Sequence, residues 1–297
     1  MELHPPLSVA YAVARVWHSR SVTTLPARAP GTTLIAGCGK LGTALGHRII
    51  AAGGRVVALR RDVSGVPPTF SSIAADLSEP SATPLPHADS LVVTLTPSAV
   101  NGGYRTALSG LTAALPTRPT RTVFVSSTGV FESWRGPQPI TESGEPTGET
   151  ERARMLIDGE SAAVDILGAI ILRPAGIYGP GRDFLIRQTL TAPSVDGGRM
   201  TNRIHEADLA RALEVLLTME APPRVLHAVD EEPAALRAVV DHIASRLGVT
   251  APPTAESNEP SGNAFDGTAL RSVLGHLEYP DYRVGYDELV AAHGRQD

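Results

Sequence analysis

Lysine is nearly absent from this chain: Lys40 is the only one among 26 basic residues. Cysteine is equally scarce. A single thiol, Cys38, excludes an internal disulfide and fits a reducing cytoplasm. The nine histidines are scattered, with no HExxH and no close His/Cys/Asp cluster, so no structural or catalytic metal is expected. No stretch approaches the roughly 20 apolar residues that span a bilayer, so no membrane partner is expected. The net charge of −5 argues against nucleic acid, which rewards a concentrated basic face.

What is present is the composition of an ordinary globular protein, 42% apolar and 19% charged over 297 residues. That length allows one large domain, or a domain with a substantial appendage. The first thirty residues stand apart. They carry Arg15, Arg20 and Arg28 against Glu2, with an apolar run at 7–17. A transit peptide is one reading. Pro5, Pro6, Pro26 and Pro30 break the segment up and favour a poorly ordered extension or an over-long start.

From Thr32 onward, β-rich runs and helical spacings alternate. Strands are expected at 33–36, 55–59, 71–75, 90–94, 122–126 and 169–172, with helices at 41–52, 99–115 and 149–167. Continuous apolar strands separated by helices indicate α/β architecture, a doubly wound parallel sheet covered on both faces. Its right-handed crossovers leave a ligand crevice at the carboxyl ends of the strands. Beyond Arg173 the chain turns rich in Gly and Pro. It then offers a helix near 206–218, a strand near 224–229, a helix at 233–247 and a proline-rich linker at 251–260.

Gly37-Cys38-Gly39-Lys40-Leu41-Gly42 is a GxGxxG between the first strand and the first helix. The pattern asks for glycine at a tight turn, at the approach of a pyrophosphate, and at a close helix–strand contact. The helix amino terminus then offers free N–H groups to phosphates. In this context the motif predicts NAD(P) as cofactor. The choice between the two dinucleotides turns on the end of the second strand. An acidic residue there suits NAD, whereas this chain has Arg60 and Arg61, which suit a 2′-phosphate. NADP is favoured, with NAD possible. Asp76 is placed to meet the adenine amino group, and Thr94 to line the pyrophosphate side. The expected division is an extension at 1–30, an NAD(P)-binding Rossmann domain at 31–175, and a small substrate-binding region at 176–297 with elements returning to the sheet.

Three further segments follow in order: Ser126-Ser127-Thr128-Gly129-Val130-Phe131, then Leu172-Arg173-Pro174-Ala175-Gly176-Ile177-Tyr178-Gly179-Pro180-Gly181-Arg182, then Asn202-Arg203-Ile204-His205-Glu206-Ala207-Asp208-Leu209-Ala210. With them the chain resembles the extended short-chain dehydrogenase/reductases. The resemblance is closest to the atypical members described as NAD-dependent epimerase/dehydratase-like, and it runs from about Thr32 to Thr218. It implies an oxidoreductase or epimerase-like enzyme acting on a small polar substrate, a carbonyl compound or a sugar. It implies that Ser127 holds the reacting oxygen, that Ser126, Pro174 and Ile177 lie at the nicotinamide end, and that Arg203, His205 and Asp208 lie near the substrate. A monomer or homodimer in the cytoplasm is expected.

One departure is absolute. The family's tyrosine and the lysine four residues later pass a proton together. Anchored on Glu160, those positions here are Arg152 and Leu156, and with Lys40 in the glycine loop no Tyr-x-x-x-Lys exists anywhere. Two readings stay open. In one, Tyr178, His205, Arg152 or Tyr104 substitutes in catalysis beside Ser127. In the other, the protein is a non-catalytic NADP(H)-binding redox sensor or regulatory protein.

Overall fold

The computed structural model of the protein describes residues 31–77, 84–255 and 261–293. The extension at 1–30 and the second half of the linker expected at 251–260 lie outside the described residues. The chain begins with β1 (Thr32–Ala36), α1 (Lys40–Ala51), β2 (Arg55–Arg60), β3 (Ser71–Ala74) and β4 (Ser90–Val93). It continues through α2 (Gly103–Ala114), β5 (Arg121–Val125), α3 (Glu151–Leu167) and β6 (Ile170–Pro174). Then come β7 (Gly176–Tyr178), α4 (Phe184–Thr191), β8 (Met200–Thr201), β9 (Arg203–His205), α5 (Glu206–Thr218) and β10 (Val225–Ala228). The described part ends with β11 (Ala234–Ala235), α6 (Leu236–Leu247), α7 (Thr268–Leu274) and α8 (Tyr282–His293).

Seven strands form one sheet in the order β10-β6-β5-β4-β1-β2-β3, and every pairing in it is parallel. The fold is a doubly wound Rossmann-type α/β structure. Successive side chains of a strand point to opposite faces, so neighbours in β1 feed different cores. Ile35 joins the layer under α1, α5 and α7 with Leu45, Leu213 and Leu270. Leu34 joins the layer under α2 and α3 with Leu108, Leu111 and Ala162. The strand order reverses between β1 and β4, and the carboxyl ends at such a switch point open into a crevice. No helix among the described residues is long and apolar enough to cross a membrane.

The expected elements are found within a few residues. The main shift is at α2, expected from 99. Gly102 and Gly103 adopt φ +85° and +87°, so the helix starts only at Gly103 after a 3-10 turn at Pro97–Ala99. Thr150 opens α3, accepting the Ala153 N–H at 3.2 Å. Three helices, α4, α7 and α8, were not foreseen. Helix α8 is held by the side chains that face it: an added Cβ at Gly285 would stand 2.2 Å from the Tyr178 hydroxyl.

Candidate active site

The three loop glycines do three different things. Gly37 adopts φ +87°, donates its N–H to Leu59 O at 2.8 Å and accepts the Thr94 hydroxyl at 2.6 Å. A Cβ at Gly39 would find nothing closer than the Gly37 carbonyl at 3.9 Å, so this position faces open space at the start of α1. At Gly42 a Cβ would press on Ile35 Cγ2 at 2.9 Å and Cys38 Sγ at 3.3 Å, so that glycine permits the helix to pack on β1. Cys38 points inward, 1% exposed, and burial pushes its thiol above the usual range. Leu41, 6% exposed, also belongs to the core. Lys40 Nζ reaches across to the Gly181 carbonyl.

Two hollows meet at this loop, sharing Gly37, Gly39 and Leu95. The first is lined by Arg60, Arg61, Asp62, Asp76 and Leu77. Here Arg60 Nη1 donates to the Cys38 carbonyl at 3.2 Å and braces the loop, while Arg61 is exposed. The second runs past Lys40, Thr94 and Thr96 to Ser126, Ser127, Arg152, Leu156, Pro174, Ile177 and Arg182. The structure therefore gathers most of the expected site residues around one cleft at the ends of β1, β4, β5 and β6.

Ser127 follows β5 in extended conformation, half-buried, and its Oγ accepts the Gly129 N–H at 3.1 Å. That bond uses a lone pair and leaves the hydroxyl proton free to donate. Ser126 is different: its hydroxyl is committed to Glu160 Oε1 at 2.6 Å. Glu160 also takes Arg173 Nε at 2.9 Å and Nη2 at 2.7 Å, so a buried carboxylate ties α3 to both β5 and β6. Thr94 likewise spends its hydroxyl on the loop. From α3, Arg152 and Leu156 line the cleft one turn apart, at the positions where the resemblance expects tyrosine and lysine.

Tyr178 and His205 are not brought to the cleft. Strand β7 is three residues long, and alternation sends Ile177 to the cleft and Tyr178 to the other side, beside its register partner His205 on β9. Tyr178 stacks on Tyr286 with centroids 4.9 Å apart and donates to the Asp281 carbonyl at 3.4 Å. Burial, then the nearby Asp230, push its phenol well above the ordinary range. His205 stacks on Tyr279 at 3.5 Å, and its Nδ1 accepts the Ala207 N–H at 3.2 Å, capping α5. Burial holds its imidazole below the ordinary value. These groups seat the C-terminal helix. Asp208 belongs with them: fully buried, it accepts the N–H groups of Glu278 and Tyr279 at 2.9 Å each and does not cap its own helix. Arg203, also expected near the substrate, is buried beside Asp230 at 4.0 Å. Tyr104 is held by the Leu95 carbonyl at 2.7 Å, 2% exposed.

Sequence reasoning missed Arg182, which lines the cleft and pairs with Glu206 at 2.5 Å, and it missed the Ser126–Glu160–Arg173 network. Arg182 closes the glycine-rich Gly179-Pro180-Gly181 turn, a signal that was visible. The network joins positions far apart in the chain and left no local mark.

No family model and no curated protein matches the chain. Solved structures do. A Methylobacillus flagellatus protein provisionally assigned as an NAD-dependent epimerase/dehydratase is 27% identical, with TM-score 0.76 over 89% of this chain and 99% of its own. The structure groups with the NAD-dependent epimerase/dehydratase-like proteins, in keeping with an extended short-chain dehydrogenase/reductase. dTDP-glucose 4,6-dehydratase of Bacillus anthracis, solved with NAD, is 15% identical, with TM-score 0.72 over 90% and 97% of the two chains. MoeE5, solved with UDP-glucuronic acid and NAD, is 21% identical, with TM-score 0.70 over 90% and 100%. These two share the epimerase/dehydratase fold. The Methylobacillus flagellatus protein, at 27% identity, is the likeness that bears on activity, and it supports an enzyme of oxidoreductase or epimerase type.

Proposed function

We propose that the protein is an NADP-preferring oxidoreductase or epimerase/dehydratase-like enzyme that acts on a small carbonyl or sugar-like substrate without a Tyr-x-x-x-Lys pair. The observation that carries this reading is one cleft lined both by the open Gly39 of the phosphate loop and by Ser127, with Arg152 on the α3 wall. The cradle fits a dinucleotide: a glycine whose Cβ space is vacant, a helix start that offers N–H groups, and Arg61 exposed at the adenosine end for a 2′-phosphate.

NADPH, when bound, supplies a hydride; the rest falls to the chain. The Ser127 hydroxyl, kept free to donate, hydrogen-bonds to the carbonyl oxygen and keeps its proton. As the carbon gains its new C–H bond, the electron pair of the C=O bond moves to that oxygen, where the Ser127 hydrogen bond steadies the charge. A proton from solvent completes the alcohol. Leu156, 2% exposed, cannot move a proton, so rate derives from orientation and electrostatics. A second reading, an NADP(H)-binding sensor, is favoured by that same absence of a titrating proton donor on the α3 wall.

The test is a stopped-flow screen of bound NADPH against aldehydes, ketones and keto-sugars. An enzyme oxidises NADPH with at least one of them, and Ser127→Ala slows that oxidation more than tenfold with NADPH affinity retained. NADPH that binds but is never oxidised would establish the sensor instead.

A further inference from the structure

The cleft around Ser127 is cationic. Lys40, Arg152 and Arg182 line it, and among the described residues of its lining there is no carboxylate, in a chain of net charge −5. Two of these cations are engaged: Lys40 on the Gly181 carbonyl, and Arg182 on Glu206 at 2.5 Å. Arg152 is exposed and has neither ion pair nor hydrogen bond among the described residues. Glu132, which feels its field, is occupied elsewhere, accepting the N–H groups of Glu149 at 3.2 Å and Thr150 at 2.6 Å. Helix α3 packs against the turn that carries Ser127, so the free guanidinium and the free hydroxyl belong to one wall.

We infer that the substrate itself carries an anionic group, a carboxylate or a phosphate, which Arg152 receives while the reacting oxygen lies at Ser127. This rests on the cleft being the substrate site proposed above. A planar guanidinium offers two parallel N–H donors to either anion, which a neutral hydroxyl cannot match. An anionic substrate therefore gains a contact at Arg152 that its neutral analogue cannot make. Leu156, below Arg152 on the same helix face, adds an apolar wall and no competing charge.

The NADPH-loaded protein is titrated with oxalate, glucuronate, inorganic phosphate and glucose 6-phosphate, and with glucose as the neutral control, following cofactor fluorescence. At least one anion is expected to bind tenfold or more tightly than glucose, and whether a carboxylate or a phosphate does so identifies the group. Arg152→Leu removes that preference, by roughly tenfold to a hundredfold, and Arg152→Lys restores part of it. NADPH affinity stays unchanged in both variants. Glucose binding as tightly as every anion would overturn the inference, and so would an anion preference that survives Arg152→Leu. Failure of the wild type to bind NADPH at all would overturn the cofactor reading beneath it, a result distinct from either.

Discussion

Replacing Glu160 with glutamine tests what holds α3 to the sheet. The wild-type carboxylate accepts Ser126 Oγ at 2.6 Å, Arg173 Nε at 2.9 Å and Arg173 Nη2 at 2.7 Å, with both charged side chains under 10% exposed. Glutamine keeps the shape but removes the counter-charge, and its NH2 group turns a donor towards a donor. Arg173 has little else to fall back on. Its Nη1 already has no hydrogen-bond partner among the described residues, and the ring of Phe131 lies 5.1 Å from its guanidinium carbon. Stranding one member of a buried pair costs about 3–5 kcal/mol. At about 2 °C per kcal/mol for a large domain, that is a fall in Tm of roughly 6–10 °C. Urea unfolding followed by circular dichroism gives the first figure, and a thermal melt the second. Because apolar residues of like volume replace a buried pair at little cost, Glu160→Leu with Arg173→Met should recover most of the loss. Helix α3 also presents Arg152 two turns upstream, so turnover should fall further than NADPH affinity. A Glu160→Gln protein within about 1 kcal/mol of wild type would refute the reasoning, as would a double variant no more stable than the single one.

Gly42→Val should abolish dinucleotide binding, since even a Cβ would meet Ile35 at 2.9 Å and shift α1 off the loop; calorimetry showing wild-type NADP⁺ affinity would contradict this. NADPH should bind more tightly than NADH, and Arg60→Ala with Arg61→Ala should remove most of the gap, about 1.5–3 kcal/mol; Arg61→Ala alone should account for more of it, because Arg60 is occupied by the Cys38 carbonyl. Stability should also depend on pH through two buried groups with opposite signs. Burial pushes Asp230 up to about 8 against the opposing pull of Arg203, so the fold keeps a proton that the unfolded chain releases, and stability falls as pH rises from about 4 to about 8. Burial, with Arg173, pushes His227 down to about 4, so the unfolded chain holds the extra proton and stability rises from about 4 to about 6.5. The two offset each other in acid and leave a net fall from about 6.5 to 8, which Asp230→Asn should abolish in urea titrations across that range.

The architecture was legible because strand and helix periods alternate cleanly from β1 to β6, and because three glycines stand where a turn, an opening and a close contact require them. Side-chain direction at the ends of strands was not legible. Ser126 and Ser127 are adjacent and chemically identical, and only the distant Glu160 and Arg173 decide that the first turns inward. Tyr178 has the chemistry of a substitute acid, but in a three-residue strand the face it takes depends on Tyr286 and His205, which tertiary packing brings to it. Helix α8, by contrast, was legible and went unread: its buried Tyr282, Gly285, Tyr286, Leu289 and Val290 recur at i, i+3, i+4, i+7 and i+8 and pack against Tyr178 and Val239.

The central claim is that Ser127 does chemistry at a cofactor-binding cleft that has lost the usual proton-transfer pair. Single-turnover oxidation of bound NADPH, in wild type and Ser127→Ala side by side with the best anionic carbonyl substrate, tests it most directly. The account predicts a rate more than tenfold lower in the variant at equal NADPH occupancy. Equal rates in the two proteins would contradict it.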